Sequence, residues 1–160
     1  MISQIEWAQL AAYIDGEGCI AILMKDRKQG RWDWRAFDLV IRVTNTDHRL
    51  PNWCHERFGG KLKLAYKKNY RKAYKACFNW EVYGKSCTDI LRGILPYSVI
   101  KKEQIAIALE YVETLQKTYH RHTMPESVKA KRAELFFALK NARSLDFLEE
   151  PMIGSKPTIQ

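Results

Sequence analysis

The sequence contains no apolar run that approaches the roughly 20 residues needed to span a bilayer, so we predict no membrane partner. The segment from Met1 to Glu6 lacks a charged stretch followed by an apolar one, and we therefore expect no secretory signal. Both absences favour an intracellular protein. An organelle and a prokaryotic or archaeal cytoplasm are equally compatible with them.

Cysteine is scarce and is not spaced for metal binding. The four cysteines lie 35, 23 and 10 residues apart and form no C-x-x-C pair, whereas zinc modules hold their ligands at short fixed spacings. The four histidines form no such pair with them either. We predict four free thiols in a reducing compartment, without disulfides or structural zinc.

Acidic residues are fewer than basic ones. The sequence has 18 Asp and Glu and 27 Lys and Arg, which gives a net charge of +9. The excess is concentrated between residues 61 and 75, where seven basic residues and three tyrosines occur without one acidic residue. Such a segment can be the solvated tip of a hairpin, but unopposed positive charges suit a phosphate backbone better. The seven basic residues are Lys61, Lys63, Lys67, Lys68, Arg71, Lys72 and Lys75.

Hydrophobic periodicity predicts one α+β domain over these 160 residues. Ser3 and Glu6 form a capping box that starts the first helix, which should end near Gly16 and Gly18. The later segments predict an order of α-β-β-α-β-β-α followed by further helices, with a four-stranded antiparallel sheet. The predicted strand pairs are 19–24 with 36–43 and 61–67 with 74–83, and the predicted later helices are 50–58, 86–91, 102–116 and 124–142.

The polar face of this sheet is the predicted DNA-binding surface. Lys25, Arg27, Asp38 and Arg42 lie on the first hairpin, beside the basic segment of the second. A strand of about 11 residues spans roughly 35 Å, the length of about ten base pairs. Because a two-stranded ribbon fits the major groove, one chain should cover about half of a long site.

Residues 10–18 read Leu-Ala-Ala-Tyr-Ile-Asp-Gly-Glu-Gly, which resembles the signature of the LAGLIDADG homing endonucleases. The segment keeps the leading Leu-Ala, the Ile-Asp pair and the alternating acidic-glycine end. It departs from the signature at Ala12, Tyr13 and Glu17. The order of elements in that family matches the order predicted above over residues 1 to about 116, which strengthens the resemblance.

The end of the first helix can hold a hard cation. A helix C-terminus carries negative partial charge and free carbonyl groups, to which Glu17 adds a carboxylate and Gly16 a carbonyl oxygen. We predict Mg²⁺ there, with Mn²⁺ or Ca²⁺ able to substitute in binding. Two such helices, packed through Ala8, Ala11 and Ala12, would bring two metal sites together for phosphodiester hydrolysis.

The resemblance implies roles for four further residues. Asn45 matches the polar residue that positions the nucleophilic water, and Arg49 matches a basic residue near the scissile phosphate. Lys101 matches the active-site lysine. Asp15 is expected to bond backbone amides at the helix end and the dimer interface rather than metal.

The function that the resemblance implies is site-specific cleavage of double-stranded DNA by an intron-homing endonuclease. One acidic-glycine helix per chain predicts a homodimer and a pseudo-palindromic site of roughly 20 base pairs, with no small-molecule substrate. Residues 1–116 are predicted to form the endonuclease core and residues 117–160 a helical extension of it. The alternatives are an RNA-binding intron maturase and a catalytically inactive DNA-binding regulator.

Overall fold

The computed structural model describes residues 1–29, 32–65, 76–116, 119 and 124–145, and for 25–29, 32–35, 65, 144 and 145 the backbone alone. The helices and strands follow one another along the chain in the predicted order, so the α+β prediction is confirmed. The elements are α1 (Gln4–Glu17), β1 (Gly18–Gln29), β2 (Trp32–Asn45), α2 (Arg49–Phe58), β3 (Lys61–Ala65), β4 (Cys77–Tyr83), a 3₁₀ turn (Gly84–Ser86), α3 (Cys87–Ile94), α4 (Lys102–Glu113) and α5 (Glu126–Leu145).

The four strands form one antiparallel sheet in the order β1-β2-β4-β3. Alternation along the strands gives the sheet one apolar face, against which the helices pack, and one polar face. The buried side chains of the apolar face are Ile20, Ile22, Leu39, Ile41, Val43, Trp80 and Val82. The polar face carries Arg42, Thr44, Lys61, Lys63, Asn79, Glu81 and Tyr83. The sheet therefore separates the hydrophobic core from a surface rich in hydrogen-bonding groups.

Helix α1 begins as the sequence predicts. The Ser3 side chain accepts a hydrogen bond from the Glu6 amide, and the Glu6 carboxylate accepts one from the Ser3 amide at 2.8 Å. At the other end, the Gly18 amide donates to carbonyls of the last turn, and a Cβ on Gly18 would lie only 2.6 Å from the Ile14 backbone. The close approach explains a glycine where the helix passes directly into β1.

Helix α1 packs against α3 at Gly93, where a Cβ would come within 2.5 Å of the Trp7 ring. Ala11 is fully buried in the core of its own chain. It is therefore unavailable to a second subunit, and the prediction that places Ala11 in the dimer interface is wrong. Ala11 is buried because of its position around the helix axis. Leu10, Ala11 and Ile14 line the buried side of the helix, whereas Ala12 lies on the exposed side.

Helix α5 lies across α4 and the outer strand β1. Leu135 and Leu139 are buried there, and the Arg132 guanidinium donates to the Thr114 carbonyl at 2.7 Å, at the end of α4. A cation near the last carbonyls of a helix is favourable. The helices described here include none with the length and apolar character to cross a bilayer.

One local prediction differs from the structure, and another falls partly outside the described residues. Asp47 precedes the helix predicted over 50–58, and aspartate favours the N-cap position, but the N-cap of α2 is His48; the Asp47 carboxylate still accepts a hydrogen bond from the Arg49 amide at 3.0 Å. Strand β3 ends at Ala65 and β4 begins at Cys77, and the rest of the predicted second hairpin, residues 66–75, lies outside the described residues.

Candidate functional site

Glu17 and Asn45 meet where α1 and β2 both end. The Asn45 side-chain amide donates to the Glu17 carboxylate, with 2.5 Å between Nδ2 and Oε2. The two residues are 28 positions apart in sequence, and they come together because β1 begins directly after Glu17 and pairs with the end of β2, Gly18 opposite Val43. Glu17 is exposed and can therefore bind a further ligand.

Asn45 is held from its other side by Asp47. The Asp47 amide donates to Asn45 Oδ1 at 2.8 Å, which fixes the orientation of the Asn45 amide with Nδ2 toward Glu17. Arg49 in turn donates from Nε and Nη2 to the Asp47 carboxylate. The hydrogen bonds and charge of Arg49 lower the pKa of Asp47 well below its ordinary range. Arg49 is thus joined to Glu17 through two intervening residues, Asp47 and Asn45, and it is exposed.

Asp15 joins the end of α1 to the start of α4. Its carboxylate accepts hydrogen bonds from the Ser98 hydroxyl at 2.7 Å and from the amides of Val99, Ile100 and Lys101 at 2.6, 3.2 and 3.2 Å. Burial alone would raise the pKa of Asp15, but these hydrogen bonds outweigh it and lower that pKa. The resemblance implies a bond from Asp15 to backbone amides at the helix end and the dimer interface; the amides that Asp15 contacts here belong to the loop before α4 of the same chain.

The Lys101 side chain also contacts the C-terminal end of α1. Its Nζ donates to the Asp15 carbonyl at 2.6 Å, so a positive charge lies at the negative end of α1. The carbonyls of Gly16 and Glu17 follow it in the last turn, where the chain leaves the helix and no later turn supplies amides for them. The exposed Glu17 carboxylate and the Gly16 carbonyl are hard oxygen donors, which fit Mg²⁺ or Ca²⁺.

The described side chains alone do not complete a metal site here. Among the described residues, no three His, Cys, Asp or Glu side chains are grouped as a metal site would need. A cation held by Glu17 and Gly16 therefore requires oxygen ligands from outside the chain, such as a phosphate, a second subunit or water.

A buried carboxylate organises the polar face of the sheet. Glu81 is only 3% exposed, and it accepts hydrogen bonds from Arg42 Nε at 2.7 Å, Lys63 Nζ at 2.6 Å and the Tyr83 hydroxyl at 2.6 Å. Burial works to raise the pKa of Glu81, but the bonds from Lys63 and Tyr83 and the charge of Arg42 outweigh it and lower that pKa to about 2. The sequence does not single out Glu81.

The other predicted DNA-binding residues fall into three groups. Lys61 belongs to the polar face, with its Nζ 5.8 Å from the centre of the Tyr83 ring, and Asp38 lines a shallow depression with Lys61 and Lys63. The backbone of Lys25 and Arg27 belongs to β1. Five further residues lie outside the described residues, namely Lys67, Lys68, Arg71, Lys72 and Lys75.

The face of α1 that points away from its own core is partly apolar. Ile5 is 72% exposed and Tyr13 is 40% exposed, and Ala12 lies between them on the exposed side; Ala8 is half-buried. Exposed positions 5, 9, 12 and 16 follow the spacing of one helical face.

Two residues have contacts in or near the site that the sequence does not predict. Asp47 holds both Asn45 and Arg49, and its signal was the Asn-x-Asp spacing of a short turn at the end of a strand. Glu81 is an acidic residue at a polar position of a basic sheet, between Trp80 and Val82, which are both buried. A lone carboxylate flanked by buried apolar residues signals a buried ion pair.

The lowered pKa of Glu81 predicts a pH dependence of stability. A carboxylate whose pKa falls on folding stabilises the protein above its unfolded value, and this contribution is lost as the pH falls from the ordinary 4.5 toward about 2. We expect Glu81→Gln to lower the free energy of unfolding at about pH 6 by an amount on the order of 2 kcal/mol, and by much less at about pH 3. Urea unfolding of both proteins at the two pH values measures this difference; an equal loss at both would contradict it.

Of the comparisons with known proteins, the one with solved structures found similar proteins and the other two did not. No protein-family profile matches it, and no curated protein matches it either. The homing endonuclease I-CvuI, solved with its target in the presence of calcium, is 22% identical and superposes with a TM-score of 0.69 over 98% of this chain and 87% of the other. The archaeal intron-encoded homing endonuclease I-Vdi141I, solved with DNA, is 14% identical, with a TM-score of 0.66 over 97% and 89%.

The third comparison is with a longer protein. The LAGLIDADG homing endonuclease I-SmaMI, bound to cleaved DNA, is 16% identical with a TM-score of 0.63, and all of this chain covers 52% of that one. The resemblance noted for residues 10–18 and the superposition over nearly the whole chain agree. The chain has the fold of the LAGLIDADG homing endonucleases.

Proposed function

We propose that the protein is a site-specific endonuclease of the intron-homing type, which hydrolyses double-stranded DNA as a homodimer with a divalent metal ion. The observation that carries this proposal is the contact between Glu17 and Asn45 at the end of α1, with Lys101 bonded to the same helix end. Structural neighbours solved with their DNA targets support it. Residues 1–116 would carry the DNA-cutting core and residues 117–160 its helical extension.

The chain would act as two copies. Because it covers about half of I-SmaMI, a longer chain found bound to DNA, two copies of the present fold would make up a comparable protein. The surface around the end of α1 also suits a partner: Ile5 is 72% exposed, and Val99 and Ile100, in the loop that Asp15 holds, are 82% and 59% exposed. A second α1 packed through Ala12 would cover apolar surface and bring the two Glu17 carboxylates near each other.

Each residue of the site has a distinct role in this proposal. Glu17 and the Gly16 carbonyl would hold the metal ion, which when bound supplies charge stabilisation and an activated water. Asn45 fixes the orientation of the Glu17 carboxylate. Lys101 would offer its ammonium to the negative charge that develops at the phosphate. Arg49, exposed and held at Asp47, would bind a neighbouring backbone phosphate.

The polar face of the sheet would lie against the duplex. Arg42, Lys61 and Lys63 belong to it, and the chain carries a net charge of +9. Phosphate contacts made by such residues predict an affinity that falls steeply with salt, with a log–log slope of about −0.9 for each phosphate neutralised.

Selection of cleaved sites from a randomised duplex library with Mg²⁺ tests the proposal. We expect one pseudo-palindromic sequence to be enriched, with no cutting in the presence of a chelator. Specific binding without cleavage under Mg²⁺ or Mn²⁺ would instead identify a DNA-binding regulator. Binding confined to RNA would identify a maturase.

The dimer has its own test at Ala12. Ala12→Arg places a long cation on the exposed face of α1, so we expect the variant to scatter light as a single chain and to lose double-strand cleavage by about 10²-fold or more, because an unpaired charge in an interface costs several kcal/mol. Ala130→Arg is the matched control, since Ala130 is an exposed alanine on α5. A dimer that persists in Ala12→Arg would place the interface elsewhere.

A further inference from the structure

Glu81 is a carboxylate at the centre of a face that the proposed function places against DNA. Its side chain is 3% exposed, and its two oxygens take three hydrogen bonds, from Arg42, Lys63 and Tyr83. A carboxylate repels phosphate, so for affinity to a DNA backbone its presence here is unfavourable. Electrostatic attraction to DNA therefore does not explain the position of Glu81.

The register of the sheet shows what Glu81 holds together. Strand β4 lies between β2 and β3, with Arg42 paired to Glu81 on one side and Lys61 paired to Glu81 on the other. Arg42 reaches Oε1 from β2, and Lys63 reaches Oε2 from β3, two residues further along that strand. Two flexible basic side chains from different strands thus converge on one buried anion.

This arrangement restrains the two cations without covering them. Arg42 and Lys63 keep 37% and 51% of their side chains exposed. Glu81 accepts from Nε of Arg42, the nitrogen next to the aliphatic stem, so the bond orients the plane of the guanidinium. The terminal amino groups of an arginine are the ones that bind guanine O6 and N7 in the major groove. A fixed orientation serves base recognition, whereas phosphate contacts tolerate mobile side chains.

We propose that Glu81 is a positioning residue for sequence recognition, which holds Arg42 and Lys63 in place to read guanine in each half of the DNA site. This inference rests on the proposed function. Tyr83 completes the arrangement, because its hydroxyl donates to Glu81 and its ring lies 5.5 Å from Lys63 Nζ. Glu81 acts through its neighbours and touches no base itself.

Binding profiles of variants on all single-base changes of the selected site test the inference. Glu81→Gln removes the charge and keeps the size of the side chain, and Arg42→Lys keeps the charge but loses the planar fork. We expect both variants to lose discrimination at the same guanine position, from about tenfold or more to less than about threefold. The double variant should lose no more than either single one, because both remove the same contact.

The salt dependence of Glu81→Gln gives a second readout. Freed from the anion, Arg42 and Lys63 can turn to phosphates, so we expect nonspecific affinity to rise and the log–log salt slope to steepen by up to about 0.9 per released cation. Glu110→Gln is the control. It removes the same charge from an exposed ion pair with Lys131, on the helical side of the sheet, and should leave the profile unchanged.

Three outcomes overturn the inference. One is a steeper salt slope in Glu81→Gln with an unchanged base profile, which leaves Glu81 a merely structural or charge-setting role. Another is loss of discrimination by Glu81→Gln and Arg42→Lys at different base pairs. A third is an unchanged profile for Arg42→Lys, which decides the matter even if Glu81→Gln fails to fold. Wild-type protein that binds no DNA overturns the proposed function and this inference together.

Discussion

Glu17→Gln is expected to abolish DNA cleavage and to leave DNA affinity within about threefold of the wild type. The substitution keeps the length of the side chain and one oxygen that can accept a hydrogen bond from Asn45. In the wild type Asn45 Nδ2 lies 2.5 Å from Glu17 Oε2. It removes the negative charge that a divalent cation needs. Because such a cation contributes several kcal/mol to transition-state stabilisation, and each 1.36 kcal/mol is tenfold in rate, the rate should fall by about 10³-fold or more.

Cleavage and binding are measured on the same selected duplex, cleavage with Mg²⁺ and binding with Ca²⁺. Glu56→Gln is the matched control, because Glu56 is an exposed glutamate on α2 away from the end of α1. It should cut like the wild type. A Glu17→Gln protein that cuts at the wild-type rate would show that another group holds the metal ion.

The sequence was sufficient for the features that depend on local pattern. The capping box of Ser3 and Glu6, the end of α1 near Gly18 and the pairing of β1 with β2 all follow from short-range spacing, and the structure has them. The contact of Asp15 with backbone amides was also predicted. The sequence did not place the loop before α4 beside Asp15, and this loop supplies those amides.

Features that depend on helix phase and on distant contacts were not available from the sequence. Ala11 and Ala12 are adjacent alanines, and only the packing of α1 against the sheet decides that one is buried and the other exposed. Glu81 meets Lys63 because β3 and β4 pair in one particular register, and a shift by one residue would separate them. The sequence therefore did not show that a buried carboxylate lies between two cations of the polar face.

Asp15→Asn is expected to destabilise the protein and to slow cleavage together. The Asp15 carboxylate accepts four hydrogen bonds from the loop before α4. An amide has one oxygen that can accept, and its NH₂ group would face donors. Since hydrogen bonds to a charged group contribute about 1.5–3 kcal/mol each to stability, we expect the free energy of unfolding to fall by about 2–3 kcal/mol, measured by urea unfolding at neutral pH.

The same substitution affects the candidate site through Lys101. The Lys101 amide and side chain both bond to Asp15, the latter through the Asp15 carbonyl, so a loop released from the carboxylate no longer fixes the ammonium at the end of α1. A displacement of about 1 Å can cost about 10²-fold in rate, and we expect a loss of that size below the unfolding temperature of the variant.

Asp89→Asn separates this effect from the loss of a surface charge. Asp89 lies exposed in the first turn of α3. Loss of its charge should lower the free energy of unfolding by only about 0.3–1 kcal/mol through the helix dipole, without a change in cleavage rate.

Lys101→Met tests the route of the Asp15 effect. If Asp15 acts through Lys101, Asp15→Asn should slow the Lys101→Met protein far less than it slows the wild type. Full additivity of the two losses would mean that Asp15 influences cleavage by another path, such as the placement of Glu17 itself.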